Sequence, residues 1–163
     1  MVEFGTYSGG SALFFSEILR SISPSAKVLS IDIDQGGVAD RVRNVKSIEL
    51  LQASTTSGAA RHRIQQIRSE NPGSAFFILD SDHMKDHVLG ELLQIRSLTQ
   101  PGDYVVVEDG NINGHPVLPD WGPGPFEALE EYFAAYPSDY RRDTEREGKF
   151  GFTFAPSGFL IRQ

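Results

Sequence analysis

A doubly wound α/β fold, with a mostly parallel sheet and helices on both faces, is predicted by three features of this 163-residue sequence. Short apolar runs alternate with segments of helical period, the rhythm of a sheet buried between two helical layers. The first run passes at once into a glycine-containing turn, VEFGTYSGG at Val2 to Gly10, and a helix start, which is how strand ends cradle a ligand. Two later runs end in carboxylates: ILDSDH closes on Asp80 and Asp82, and VVVEDGN on Glu108 and Asp109.

The elements follow in order. Val2 to Phe4 is the first strand, and Gly10 to about Ile22 a helix ended by Ser23-Pro24, because the residue before proline is driven out of the helical region. Lys27 to Ile31 is the second strand, with a short helix over Gly36 to Val45. Ser47 to Leu51 is the third, followed by a helix from Gly58 to Ser69 and a stop at Asn71-Pro72-Gly73. Ser74 to Leu79 contains the uninterrupted apolar run AFFIL and is therefore central. A helix from Lys85 to about Leu98 ends before Pro101-Gly102, and Asp103 to Glu108 is the fifth strand. The rhythm then breaks in a loop, Gly110 to Gly124, that holds GHPVLP and WGPGP with His115 and Trp121; an irregular loop of this length is more often functional than incidental. A helix covers Phe126 to Tyr136. Phe150 to Arg162 reads as two runs around Pro156-Ser157-Gly158, predicting an antiparallel finish to the sheet.

Composition narrows the function. At 163 residues with 39% apolar content, the chain supports one core, so residues 1–163 are expected to form a single domain. The net charge of −7 leaves no basic face to follow a phosphate backbone, which argues against a nucleic-acid partner. There is no cysteine, hence neither a disulfide framework nor a thiolate metal site. The longest apolar run is far short of the roughly 18 residues that a membrane span needs, so a soluble, cytoplasmic protein is expected. Met1 leads directly into the first strand, and the expectation is that capping helices are lacking upstream.

Acidic side chains clustered where apolar strands end side by side are ordinarily held by a cation or a ligand. Oxygen donors without cysteine suit magnesium, manganese or calcium, with magnesium the default. In the turn, Glu3, Gly5 and Gly9 depart from the dinucleotide spacing, and a carboxylate there suits a cationic ligand rather than a pyrophosphate. An acid ending the second strand, Asp32 or Asp34, is placed for the hydroxyls of a ribose. Ala53, Ser54 and Thr55 follow the third strand, where a small hydroxyl-bearing loop packs an adenine edge.

These residues resemble the cephalosporin hydroxylase and rhamnosyl O-methyltransferase family of class I S-adenosylmethionine-dependent methyltransferases. The resemblance runs from VEFGTYSGGSALFF through LDSDH and VVVEDGNINGHP to FTFAPSGFLIR. It implies a seven-stranded Rossmann-like methyltransferase sheet with the last strand antiparallel, an S-adenosylmethionine site and a divalent metal, by default Mg2+. Glu3, Gly5, Thr6, Tyr7, Gly9 and Ser11 would meet the methionine end, Asp32 the ribose, and Ala53 and Ser54 the adenine, with Asp80 nearby. A local likeness to catechol O-methyltransferase matches Asp82, His83, Lys85 and Asp86 to that enzyme's metal-and-base segment. On this register Asp82, Glu108 and Asp109 bind metal and Lys85 is the base; if the strand end sets the register instead, Asp80 binds and His83 is the base. The implied function is metal-dependent methyl transfer to a hydroxyl of a small molecule, a sugar or a secondary metabolite, with homo-oligomeric assembly. The alternatives are a non-catalytic S-adenosylmethionine-binding module and a hydroxylase, which would need His83 and His87 at one iron centre.

Overall fold

The computed structural model describes residues 1–163. The chain forms β1 (Val2–Phe4), α1 (Gly10–Ile22), β2 (Val28–Asp32), α2 (Asp40–Arg43), β3 (Ile48–Gln52), α3 (Gly58–Glu70), β4 (Phe76–Leu79), α4 (Lys85–Ile95), β5 (Tyr104–Val107), α5 (Pro125–Ala135), β6 (Tyr140–Arg142), α6 (Thr144–Gly148) and β7 (Phe159–Arg162). The strands form one sheet in the order β3-β2-β1-β4-β5-β7-β6. β1 to β5 pair in parallel, and β7 runs antiparallel to both β5 and β6. The doubly wound sheet with an antiparallel C-terminal strand is thus the architecture found.

The core lies along the central strands, whose inward positions are almost wholly apolar: Phe4, Leu29, Ile31, Phe77 and Val105 are buried with Ile64, Leu92, Ile95 and Leu129 from the helices. At the strands' N-terminal end, Arg68 donates to Asp103 and to the Gly73 carbonyl at 2.8 Å each, and Asp103 also accepts the Ala75 and Gln100 amides, so the buried carboxylate is hydrogen-bonded through both oxygens while Arg68 Nε stays unpartnered. No helix is long and apolar enough to cross a membrane.

Two local expectations are corrected. The short helix expected over Gly36 to Val45 is confined to Asp40–Arg43. Of the two runs around Pro156-Ser157-Gly158, only the second is a strand. The Phe150, Phe152 and Phe154 alternation suggests a strand, but β7 occupies the free edge of β5, and β6 takes the other edge of β7. These three rings stay exposed. β6 escapes sequence reading because it is three residues long and carries Arg141 and Arg142. Its arginine is accommodated by aromatic packing, with the Arg142 guanidinium 4.5 Å from the Phe133 ring centre.

β1 connects outward to β2 on one side and is flanked by β4 on the other, so the winding reverses between β1 and β4. Strand C-termini open a crevice at such a reversal. The turn after β1 and the carboxylates after β4 and β5 all fall at this end.

Candidate active site

The turn after β1 can only be built with glycine. Gly5 has φ +90°, and a Cβ there would lie 1.9 Å from the Asp80 carbonyl oxygen, so the backbones following β1 and β4 are nearly in contact. Gly9, also left-handed, leaves no room for a side chain beside Val42. Glu3 is buried on β1 and accepts the Ser30 hydroxyl at 2.5 Å. Burial raises its pKa, with help from the Asp80 and Asp32 charges, against hydrogen bonds from Ser11 and Ser30. Such a carboxylate favours a cationic partner.

Asp32 closes β2 and accepts the amides of Thr6 at 2.7 Å and Tyr7 at 3.2 Å through one oxygen, and Asp34 at 3.1 Å through the other. Despite partial burial these amides hold its carboxyl below the usual range, so it is ionised and fixed in place. A cavity of about 310 Å³ opens beside it, lined by Asp32, Ile33, Ser54, Thr55, Ser81, Asp82 and His87. Ala53 is tied by its amide to the Asp32 carbonyl at 2.8 Å.

Across the crevice Asp80, His83 and Asp109 present ligand atoms within 4.8 Å of one another. His83 Nε2 lies 3.5 Å from Asp80 Oδ1 and 3.2 Å from Asp109 Oδ2. The hydrogen bond to Asp80, with the charges of Asp109, Asp80 and Asp82, raises the imidazole pKa despite burial. Asp109 sits at φ +54°, a left-handed conformation that turns the chain sharply out of β5. Gly110 follows because a Cβ there would meet the Pro156 carbonyl at 2.8 Å. Glu108 is pushed up to about 7 by burial and by the charges of Asp80 and Asp109, with His83 opposing. Burial and the Asp80 charge also raise Asp109. These carboxylates repel one another, and a dication between them would reverse the sign of that interaction.

Asp82 and Lys85 are not brought into this group. Asp82 Oδ1 accepts the Met84 amide at 2.9 Å, and its side chain lines the Asp32 cavity. Lys85 Nζ pairs with Glu131 at 2.6 Å, and that bond raises its pKa, away from what a base requires. His83 and His87 belong to different clusters, since His87 faces Thr55 and Glu91. The glycine-rich loop is latched by Glu127, whose carboxylate accepts from Asn113 and His115 at 2.9 Å each and from the Gly124 amide at 2.7 Å.

Sequence reasoning missed the network beneath the turn. Gln35 donates to Thr6 Oγ1 at 3.1 Å, and Thr6 and Ser30 hydroxyls lie 2.7 Å apart. The one available signal was Ser30, a polar residue inside the apolar strand VLSID.

Comparison with solved structures places the architecture among methyltransferases. CmcI in its apo form aligns with a TM-score of 0.74 at 21% identity over 99% of this chain and 63% of CmcI. The methyltransferase MycE of mycinamycin biosynthesis, in complex with Mg, S-adenosylhomocysteine and mycinamycin VI, aligns at 0.57 and 18% identity over 85% of this chain and 40% of MycE. At these identities the likeness is one of fold. Sequence goes further: residues 1–163 match the Rhamnosyl O-methyltransferase/CmcI family throughout, and the chain belongs to that family. The rhamnosyl O-methyltransferase of Mycobacterium tuberculosis is 50% identical over 99% of this chain. The chain spans 66% of that relative's length.

Proposed function

We infer that residues 1–163 act as an S-adenosylmethionine-dependent O-methyltransferase domain, assisted by a divalent metal, with a sugar hydroxyl as acceptor. The observation that carries this reading is the juxtaposition of Asp80, His83, Glu108 and Asp109 with the Gly5 turn across one sheet reversal. The 50% identity to a rhamnosyl O-methyltransferase favours a rhamnosyl acceptor.

The donor set fits both groups. Three carboxylates, without sulfur, are a hard-cation set, and the raised Glu108 pKa is what mutual repulsion among them and burial produce when no cation lies between them. We assign Asp80, Glu108 and Asp109 as metal ligands, which takes the strand-end register in preference to Asp82. Glu3, the backbone of Gly5 to Tyr7, Ser11 and Asp32 would hold the cofactor, Glu3 toward the cationic methionine end and Asp32 toward the ribose. When bound, the metal would supply Lewis acidity toward an acceptor hydroxyl, and the cofactor would supply the methyl group.

His83 receives the acceptor's proton at Nε2, the atom that already faces Asp80 and Asp109. Those carboxylates stabilise the resulting imidazolium, Asp80 by its hydrogen bond and Asp109 by its charge, and so favour proton uptake by the ring. Calorimetric titration of S-adenosylhomocysteine with magnesium and then with a chelator, followed by methyl transfer to a rhamnoside, tests this. Saturable binding and metal-dependent transfer are expected. A chain that binds no S-adenosylhomocysteine in either condition refutes it.

A further inference from the structure

Behind the Asp32 cavity lies a buried network that methyl transfer does not use. Glu91, on α4, is fully buried, and its Oε1 accepts the hydroxyls of Thr55 and Ser81 at 2.5 Å each. His87 Nε2 lies 3.0 Å from Thr55 Oγ1 and 3.2 Å from Glu91 Oε1. A hydroxyl has one proton, and that of Thr55 is committed to the carboxylate. The contact between Thr55 and His87 therefore requires the imidazole to be the donor, so Nε2 carries a proton shared between Thr55 and Glu91. Gln94 secures the arrangement from the other side through its hydrogen bond to the Thr55 carbonyl. In the neutral ring this leaves Nδ1 as a lone pair, and no group of the protein hydrogen-bonds to it. His87 lines the cavity together with Asp32.

We propose that His87 determines the purine specificity of this site, its Nδ1 accepting the 6-amino group of the cofactor's adenine, with Thr55 and Glu91 as positioning residues that fix the tautomer. The proposal rests on the S-adenosylmethionine reading above. If Asp32 takes the ribose, the base is directed into the space bounded by Ile33, Ser54 and His87. An adenine amino group gives Nδ1 the proton it lacks, whereas a 6-oxo purine sets an oxygen acceptor against the lone pair. Sites built around such a bond reject ligands that lack the partner atom.

The test is the ratio of dissociation constants for S-inosylhomocysteine and S-adenosylhomocysteine, measured by calorimetry at several pH values from about 7 to about 9.5, because the Glu91 hydrogen bond raises the pKa of this ring and only its neutral form accepts at Nδ1. The unaltered chain is expected to prefer the adenosyl ligand by about tenfold or more, the equivalent of about 1.4 kcal/mol. His87→Ala and His87→Gln bring the ratio toward one. In the glutamine variant the amide takes over the Nε2 contacts, so the network and the fold persist while the Nδ1 acceptor is lost. His87→Asn, whose side-chain oxygen falls near Nδ1, restores part of the preference, and Glu91→Gln lowers it by loosening the tautomer; a merely structural role for these residues would weaken both ligands alike. An unchanged ratio in His87→Gln overturns the proposal while leaving the methyltransferase reading intact, and so does an unaltered chain that binds both ligands equally. Failure of that chain to bind either ligand overturns both.

Discussion

Replacing Glu108 with glutamine should stabilise the metal-free protein at alkaline pH, an advantage that magnesium should largely abolish. Glu108 has its pKa pushed from 4.5 to about 7 by burial and the neighbouring charges of Asp80 and Asp109. The folded state thus binds the Glu108 proton more tightly than the unfolded state does. No cost arises below the unfolded value, the cost grows as pH rises from about 4.5 to about 7, and it is complete above that. The difference of about 2.5 pK units, at 1.36 kcal/mol each, sets an upper limit of about 3 kcal/mol. For a chain of this size that is about 6–12 °C in melting temperature. Glutamine keeps the shape and removes the charge, so in chelator at pH 8 the variant should melt higher, and the two curves should converge toward pH 5. Magnesium at about 100 times its dissociation constant adds about 2.7 kcal/mol to the protein that binds it, so the gap should close. Thermal denaturation with chelator and with magnesium, stepped from pH 5 to pH 8, reads all of this. A difference between variant and parent that does not change with pH would refute the electrostatic account of this cluster.

Other substitutions separate the remaining assignments. His83→Gln should lower kcat by about 10²- to 10⁴-fold with S-adenosylhomocysteine affinity retained, whereas Lys85→Ala should leave turnover close to that of the parent; steady-state kinetics of the pair decides between the bases. Gly5→Ala forces a Cβ to within 1.9 Å of the Asp80 carbonyl in a left-handed conformation, and should cost more than about 1 kcal/mol in urea denaturation while abolishing cofactor binding. Glu127→Ala should free the loop from Asn111 to Gly124. Its carboxyl is held down to about 2 because the Gly124, His115 and Asn113 donors outweigh burial, so the latch stabilises the loop in full above pH 4.5, weakens progressively below it and is gone once pH has fallen through about 2. Pepsin at about pH 3 should therefore cut this loop in the variant and spare it in the parent.

Most of the sheet was legible because its strands are short, apolar and punctuated. AFFIL requires burial on both faces, and Asn71-Pro72-Gly73 cannot continue a helix. What the sequence concealed was decided by edges and partners. Phe150, Phe152 and Phe154 alternate as a strand should, yet pairing needs a vacant edge, and β7 fills it. β6 looks too charged for a strand, and it becomes one because Arg142 lies over Phe133 and accepts pairing with β7. The buried Glu91 could not be anticipated from its helix, since its stabilising donors come from Thr55 and Ser81, on two other segments.

The pair Asp80 and Asp82 shows how two like residues, two positions apart, come to serve different pockets. Within a strand they would share a face, because the side-chain period is two. β4, however, ends at Leu79, and pairing no longer enforces the alternation. The Asp80 amide still bonds to the Phe4 carbonyl at 2.9 Å, and its own carbonyl abuts Gly5, so this residue is held against β1 with its carboxylate toward His83 and Asp109. Asp82 instead spends one oxygen on the Met84 amide, which turns the chain into α4 and directs the side chain to the cavity beside Asp32. A match of the Asp-His-x-Lys-Asp string points to Asp82, whereas the backbone contact brings Asp80 and not Asp82 beside His83 and Asp109. The close approach at Gly5 is what decides between them, and it is a property of two chains meeting, absent from either segment read alone.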